Sequence, residues 1–386
     1  MKFPANDIIS LLDERLEYNL AESTNKDVVL GELLDDGLLQ EMKGLKLEYG
    51  TSQGNPRLRE RVGQKLGVDK DEIVITNGSI FGILLSILCV CEPGDEVLTV
   101  KPNFPPTMDL IDGLGFEKKL VTLRFENQYQ LDVDDVYQSV TSKTRLIILV
   151  SPLNPTGTTI EYSDVVHLSN LLQKNYPDCL LLIDETYREA AYGDNPILPT
   201  YAGIADNVVT TASLSKCHGT PGLRIGWLQS SDAAFINQAK IAKMNTVISN
   251  SVLDELIAIN VLEKEQALFE ARRKHAVEGF EITKRWVAKN AQCIEWIEPG
   301  AGALCCIRLN KEVFQDEDVD RFYDIAKEHS IQLADGQWFG ESKRIFRLGF
   351  GYMDIDMLIS TLEKLTQILQ SLKNGIKTSM PEQVSG

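Results

Sequence analysis

Short apolar segments alternate with longer amphipathic segments from about residue 72 to residue 229, and this alternation restricts the fold more than any other feature. The short segments are rich in leucine and β-branched residues, and several are apolar on both faces, as buried parallel strands are. Two intervening segments, 79–91 and 163–176, fit helices that cover such a sheet. The predicted fold class is therefore α/β, with strands at 72–76, 95–100, 144–150, 179–184, 207–213 and 223–228.

The pattern changes after about residue 250, where a long helical stretch spans 252–290 and a mixed region continues to about residue 372. We interpret this change as a second, smaller lobe. The predicted division is a large domain at 44–270, a small domain formed by 1–43 together with 271–372, and a polar, flexible tail at 373–386.

Composition limits the partners and the location of the chain. The formal net charge is −17 and no block of basic residues stands out, which disfavours nucleic acid and anionic membranes as partners. The seven cysteines form no C-x-x-C pair and have no histidine at metal-ligand spacing, so we expect reduced cysteines and no metal site. The N-terminus lacks the pattern of a secretory signal, and no apolar run reaches the roughly 18 residues of a membrane span, so we expect a cytoplasmic protein.

Three motifs follow predicted strands, at the carboxyl edge where open α/β sheets bind ligands. Lys216 lies in a serine-rich turn within "SLSKCHGTPGLRIGW", residues 213–227. Upstream, "SPLNPTGT" covers 151–158 and "IDETYREAAY" covers 183–192. Each motif alone has an ordinary explanation as a polar turn, but their order and location together indicate a ligand site.

With these motifs in this order, the chain resembles the fold-type I, class I/II aminotransferases, typified by aspartate aminotransferase, from about Tyr18 to about residue 370. The resemblance implies a large, mostly parallel sheet domain with a smaller α/β lobe. It also implies a role in amino acid metabolism, pyridoxal 5'-phosphate (PLP) as cofactor and a homodimer with shared active sites.

The resemblance assigns the catalytic groups and the residues around the cofactor ring. Lys216 matches the lysine that holds PLP as a Schiff base and then carries the proton between Cα and the cofactor. Asp184 matches the carboxylate that keeps the pyridine nitrogen protonated. Tyr187 and Asn154 match groups that bind the 3'-oxygen of the cofactor, Asn154 also lying beside the substrate, and Phe104 matches the aromatic residue that stacks on the ring.

The same resemblance implies a phosphate site. Gly78, Ser79 and Ile80 open a predicted helix directly after a strand, where free N–H groups favour an anion. Ser213 and Arg224 would complete this site, Arg224 through a charge-assisted contact.

Two further residues match groups outside the cofactor ring. Arg347, in "IFRLGF", matches the arginine that binds the substrate α-carboxylate. Tyr49, in "YGTSQGNPRLRERV", matches a tyrosine that reaches the phosphate of the neighbouring subunit.

The segment 18–34, "YNLAESTNKDVVLGELL", lacks the glycine that many of these enzymes carry there, and it resembles a branch that contains capreomycidine synthase. Two reactions therefore stay open. One is transamination of an amino acid with a 2-oxo acid, for which we expect 2-oxoglutarate. The other is elimination and cyclisation, or oxidation, of arginine or a hydroxyarginine. If Glu22 faces the pocket, its carboxylate suits a guanidinium or ammonium group; if it faces water, it is uninformative.

Two other interpretations are less favoured. His218 lies two residues after Lys216, where relatives often have an aromatic residue, and it would either face the site or pack in the core. A cofactor-binding regulator fused to a DNA-binding module would need an appended helix-turn-helix region. The negative net charge and the early start of the resemblance both disfavour such a region.

Overall fold

The computed structural model describes residues 2–192 and 196–375. Most predicted strands are present with ends shifted by one residue, and 144–150 matches at both ends. The strands are β1 (Tyr18–Asn19), β2 (Ile73–Thr76), β3 (Glu96–Lys101), β4 (Glu117–Thr122), β5 (Thr144–Val150), β6 (Leu180–Asp184), β7 (Val208–Ser213), β8 (Gly226–Ser230), β9 (Ile294–Trp296), β10 (Leu304–Leu309), β11 (Ile331–Gln332), β12 (Ala334–Asp335) and β13 (Ile345–Gly349).

A seven-stranded sheet in the order β2-β8-β7-β6-β5-β3-β4 organises the large part of the structure. Only β8 runs antiparallel to its neighbours, and β2, β5, β6, β7 and β8 are buried almost throughout. The predicted α/β class with a mostly parallel sheet is confirmed. Val150 of β5 pairs with Asp184 of β6, and Asp184 pairs with Thr211 of β7. The three motifs that follow these strands therefore begin side by side at one edge.

Helices cover both faces of this sheet and continue into the C-terminal part. The predicted helices at 79–91 and 163–176 are present as α5 and α8, and the predicted stretch 252–290 is interrupted at Lys264. The helices are α1 (Ser10–Asp13), α2 (Leu30–Leu33), α3 (Asp36–Gly44), α4 (Pro56–Leu66), α5 (Ser79–Val90), α6 (Pro105–Leu114), α7 (Val133–Gln138), α8 (Tyr162–Asn175), α9 (Ala233–Thr246), α10 (Val252–Glu263), α11 (Glu265–Lys289), α12 (Asp316–Glu328) and α13 (Ile355–Lys373).

The strand predictions for the large sheet differ from the structure at two places. The prediction at 223–228 starts too early, because Pro221–Leu223 form a 3₁₀ turn and Arg224 has a left-handed backbone, so β8 begins at Gly226. The strand β4 was missed altogether. It lies at the edge of the sheet, only one of its six residues is buried, and its sequence "EKKLVT" lacks the apolar run of a buried strand.

A second sheet, in the order β12-β13-β10-β9 and antiparallel throughout, packs with α11, α12 and α13 around its own apolar core. Leu20 also lies in this core, directly after β1, which pairs with β11. The N-terminal segment is thereby fixed to the C-terminal part of the chain. The predicted lobe boundaries at 44 and 270 remain a prediction, and α11 runs through residue 270 without a break.

The helix α13 ends at Lys373, so most of the predicted tail, 376–386, lies outside the described residues. Within the described part of the chain, no helix combines the length and apolar character needed to cross a bilayer.

Candidate active site

Lys216 lies in the turn that follows β7, and its amine meets a residue from the N-terminal segment. The Lys216 Nζ donates to Ser23 Oγ at 3.0 Å, and the Tyr187 hydroxyl donates to the same oxygen at 3.1 Å. The two predicted residues are therefore connected by a hydroxyl that sequence reasoning missed. The only available signal for Ser23 was its place next to Glu22 in a segment already singled out.

Glu22 faces the cleft that Lys216 lines, which the sequence had left open. Its Oε1 is 3.6 Å from Lys216 Nζ and accepts from the Ser23 amide at 2.7 Å. Burial favours the neutral acid, but Lys216, the Ser23 amide and Arg347 together outweigh burial and hold the pKa of Glu22 below its ordinary value. The side chain is therefore a carboxylate at neutral pH.

Asp184 ends β6 and is buried. Burial raises the pKa of this carboxyl to about 6, although hydrogen bonds from Thr186 and Ser79 oppose the shift. The Thr186 amide and hydroxyl both donate to Asp184 Oδ1, at 2.9 and 2.6 Å. Thr186 was missed, and the pattern Asp-x-Thr, which favours such local side-chain turns, was the signal for it.

Arg347 stands on β13 with 2% of its surface exposed. Its Nη1 donates to Asn154 Oδ1 at 2.9 Å, its Nη2 donates to the Ala21 carbonyl, and its guanidinium lies 4.9 Å from the centre of the Phe339 ring. Burial lowers its pKa from the usual value, and its Nε is buried with no hydrogen-bond partner among the described residues. An unpartnered donor on a buried cation suits a carboxylate ligand.

The loop after β2 has the geometry of an anion site. Gly78 has a φ of 77° and precedes the first turn of α5, so the amides of Ser79 and Ile80 stand at a free helix N-terminus. The Arg224 guanidinium lies against this loop, since a Cβ on Gly78 would come within 2.6 Å of Arg224 Nη2. Helix N-terminus, glycine and arginine together fit the phosphate of the cofactor that the resemblance implies.

These groups surround one cavity of about 530 Å³. Its lining contains eight of the predicted residues, and sequence reasoning missed Arg15, Asp27, Ser215 and Tyr352, which also line it. The other predicted residues near it are buried: Tyr187 and Arg347 donate to residues 21–23, Asn154 accepts from Arg347, and Asp184 accepts from Thr186. The predicted residues in the lining are Glu22, Gly78, Ser79, Ile80, Phe104, Ser213, Lys216 and Arg224.

Tyr49 stands outside this cavity. It is 81% exposed and lies in a separate groove beside α10.

His218, whose orientation the sequence had left open, is absent from the cavity lining and lies in a buried ionic cluster. Its Nε2 is 2.7 Å from Glu265 Oε1 and its ring packs on Phe269. Burial opposes ionisation of Glu265, but His218 and Lys65 lower its pKa to about 2. The carboxylates of Glu189 and Glu265 both contact the Lys65 ammonium, which supplies the positive charge between them.

Comparison with known proteins identifies the family of the chain. The family model for aminotransferase class I and II matches residues 17–365. Capreomycidine synthase of Streptomyces vinaceus is 27% identical over 90% of this chain and 89% of its own length. The arginine–pyruvate transaminase AruH of Pseudomonas aeruginosa is 24% identical over 76% of this chain and 75% of its own.

Solved structures share the fold over nearly the whole chain. A PLP-dependent aminotransferase from Streptococcus suis superposes with a TM-score of 0.87 and 26% identity, covering 98% of this chain and all of the other. The PLP-dependent cyclase OrfR superposes with a TM-score of 0.84 and 20% identity, covering 96% and 98%. The chain therefore belongs to the class I and II aminotransferase family and is a PLP-dependent enzyme.

Proposed function

We propose that this enzyme transfers the α-amino group of an amino acid to a 2-oxo acid. The observation that carries the proposal is the position of segment 21–23, which contacts the Lys216 amine through Ser23 and the Arg347 guanidinium through Ala21. The Lys216 amine, which would move protons, and the Arg347 guanidinium, which would bind a carboxylate, therefore both contact this three-residue segment. An α-amino acid presents the two groups that this pair would serve, a proton on Cα and a carboxylate.

The cofactor would be held by its phosphate at Gly78–Ile80 with Arg224 and Ser213, and by its ring between Phe104 and the residues around Asp184. Bound PLP supplies an electron-withdrawing ring that makes the Cα proton acidic. Asp184, a buried carboxylate, would hold the proton on the ring nitrogen, while Tyr187 and Asn154 would donate toward the ring oxygen. Lys216 Nζ would take the Cα proton, and Arg347 would fix the substrate by its α-carboxylate.

Two experiments test this proposal. Lys216→Ala should remove the absorbance band of the bound cofactor, and a variant that kept the band would contradict the role of Lys216. A panel of amino acids, including arginine and hydroxyarginine, is then incubated with and without 2-oxoglutarate, and products are identified by mass. Turnover only with the oxo acid supports transamination, and its absence across the panel would overturn it.

A second reaction is favoured by Glu22: elimination and cyclisation, or oxidation, of arginine or a hydroxyarginine. An ionised carboxylate that faces the cleft suits a cationic substrate, and relatives include capreomycidine synthase and an arginine transaminase. In the same panel, turnover without any oxo acid that yields a dehydrated, cyclised or oxidised product supports this reaction. Failure to consume any arginine derivative would exclude it.

We also propose a homodimer in which Tyr49 reaches the neighbouring subunit's cofactor phosphate. Leu47 and Tyr49 are more than four fifths exposed, and the adjacent Gly50 packs near Ser249 and Val252, which places this apolar surface beside the start of α10. Light scattering should give twice the chain mass, and Tyr49→Phe should weaken PLP binding. A monomer with full affinity for PLP would contradict this proposal.

A cytoplasmic location is part of the same proposal. All seven cysteines are free, as expected for a reducing compartment. Fractionation of the source cells should recover the protein with soluble cytoplasmic markers, and recovery with secreted proteins would oppose it.

A further inference from the structure

The segment Asn19–Val28, which we call the strap, is attached to both walls of the active site. On the side of β13, the Gly349 amide donates to the Leu20 carbonyl at 2.7 Å and Arg347 donates to the Ala21 carbonyl. On the side of the lysine turn, the Asn25 amide donates to the Lys216 carbonyl at 3.4 Å and the Val28 amide donates to the Gly219 carbonyl at 2.7 Å. Ser23 lies between these two attachments.

The Ser23 hydroxyl is the polar group of the strap that reaches the lysine amine most directly. It is buried, with 3% of the residue exposed, and it accepts from both Lys216 Nζ and Tyr187. A hydroxyl oxygen has two acceptor sites, so both donors can be satisfied at once. The position of the amine is thereby fixed relative to the Tyr187 hydroxyl by a residue 193 positions away in the chain.

We propose that Ser23 is a positioning residue for Lys216: whenever the lysine amine is free, the Ser23 hydroxyl holds it beside Tyr187. The segment that covers the site then also determines where the proton-transferring nitrogen stands. This inference rests on the role proposed for Lys216. Proton transfer depends steeply on position, since a misplacement of about 1 Å can reduce a rate by about 100-fold.

The variants are Ser23→Ala, which removes the hydroxyl, and Ser23→Thr, which keeps it. Ser169→Ala is the matched control, because Ser169 is another buried serine with a side-chain hydrogen bond, to Asn207 at 2.7 Å, and it lies outside the cavity lining. Each holoenzyme is assayed with L-arginine or L-glutamate, whichever is the better donor, with hydrogen or deuterium at Cα. For each protein stripped of cofactor, the rate at which added PLP restores the absorbance band is measured as a function of pH.

We expect Ser23→Ala to lower kcat by about ten-fold with KM within about two-fold of the parent, and to increase the deuterium isotope effect, because proton transfer becomes slower than the other steps. The pH profile of PLP uptake should change as well, whereas Ser169→Ala should keep both the isotope effect and the profile. Ser23→Thr should restore most of kcat.

An unchanged isotope effect and an unchanged uptake profile in Ser23→Ala would overturn the inference, even if stability or KM falls. If Ser23→Ala does not fold, Ser23→Thr provides the test. A crystal structure of that variant with a misplaced hydroxyl, together with a normal isotope effect and a normal uptake profile, would equally overturn the inference. Failure of the Lys216 role is separate, since it would appear as a retained cofactor band in Lys216→Ala.

Discussion

Replacing Asp184 by asparagine should stabilise the cofactor-free protein at neutral pH while it damages cofactor binding. Burial is the largest cause that raises the pKa of Asp184 from 3.8 to about 6, and Thr186 only partly opposes it. The folded protein therefore binds this proton more tightly than the unfolded chain does. The contribution of Asp184 to folding is fully present below about pH 4 and is lost as the pH rises through 6.

The size of this loss follows from the difference between the two pKa values. About two pKa units correspond to about 3 kcal/mol, because each unit is worth about 1.36 kcal/mol. Asparagine keeps an oxygen that accepts from Thr186 but has no charge to bury. We expect cofactor-free Asp184→Asn to exceed the parent in free energy of unfolding by up to about 3 kcal/mol at pH 7.5, and by roughly half of that at pH 5.

The assay is urea unfolding of the cofactor-free proteins, followed by circular dichroism at both pH values. Asp178→Asn is the control, because the Asp178 side chain is 81% exposed and its ion pair with Arg145 spans 3.9 Å. Added PLP should stabilise the parent far more than Asp184→Asn, since the buried carboxylate is the group that would pair with the ring nitrogen. A difference in stability that does not change between pH 5 and 7.5, or that favours the parent at pH 7.5, would refute the reasoning.

Three further predictions concern binding. Arg347→Ala should raise KM for the amino acid by about 100-fold while the dissociation constant of PLP, measured by absorbance titration, changes little; equal losses in both would contradict its role. Gly78→Ala should weaken PLP binding by about ten-fold in the same titration, because the new Cβ would stand 2.6 Å from Arg224 Nη2 at a backbone angle that disfavours side chains. Glu22→Gln should lower the preference for arginine over its neutral analogue citrulline, measured as a ratio of kcat/KM, by about ten-fold, and an unchanged ratio would exclude a contact with the substrate cation.

The loss of stability expected from Asp184 is typical of a functional group in this position. Burial raises the pKa of this carboxyl, so its ionised form is expected to destabilise the cofactor-free fold, yet the same burial would strengthen its pairing with a protonated ring. The Glu185 carboxyl next to it is also buried, but it accepts from Thr200 and from the Tyr201 amide and lies near Arg188. Neighbouring acids on one turn therefore have different partners: Asp184 accepts from Thr186, which lines the cavity, and Glu185 accepts from the loop that follows.

The sequence by itself predicted the α/β sheet and six of its seven strands, most of them with ends within one residue. Buried parallel strands such as β5 and β6 are continuous apolar runs, so the residues at which they begin and end can be read from the sequence alone. The polar motifs that follow these parallel strands must then meet at one edge of the sheet. This rule placed Lys216, Asp184 and Asn154 near one edge of the sheet, whereas the roles expected of them came from the resemblance to the aminotransferases. The edge strand β4 did not follow it, because one of its sides faces solvent and tolerates the charges of "EKKLVT".

Only the tertiary structure decided which distant side chains meet. Ser23 reaches Lys216 and Tyr187 because β1 pairs with β11 and Leu20 packs in the C-terminal core, contacts that no local pattern encodes. The same holds for the direction of individual side chains: Glu22 faces the cleft, whereas His218, two residues from Lys216, turns to Glu265. Local periodicity specifies which helices and strands form. The partner of a buried charge depends instead on which opposite charge lies next to it once these elements have packed together.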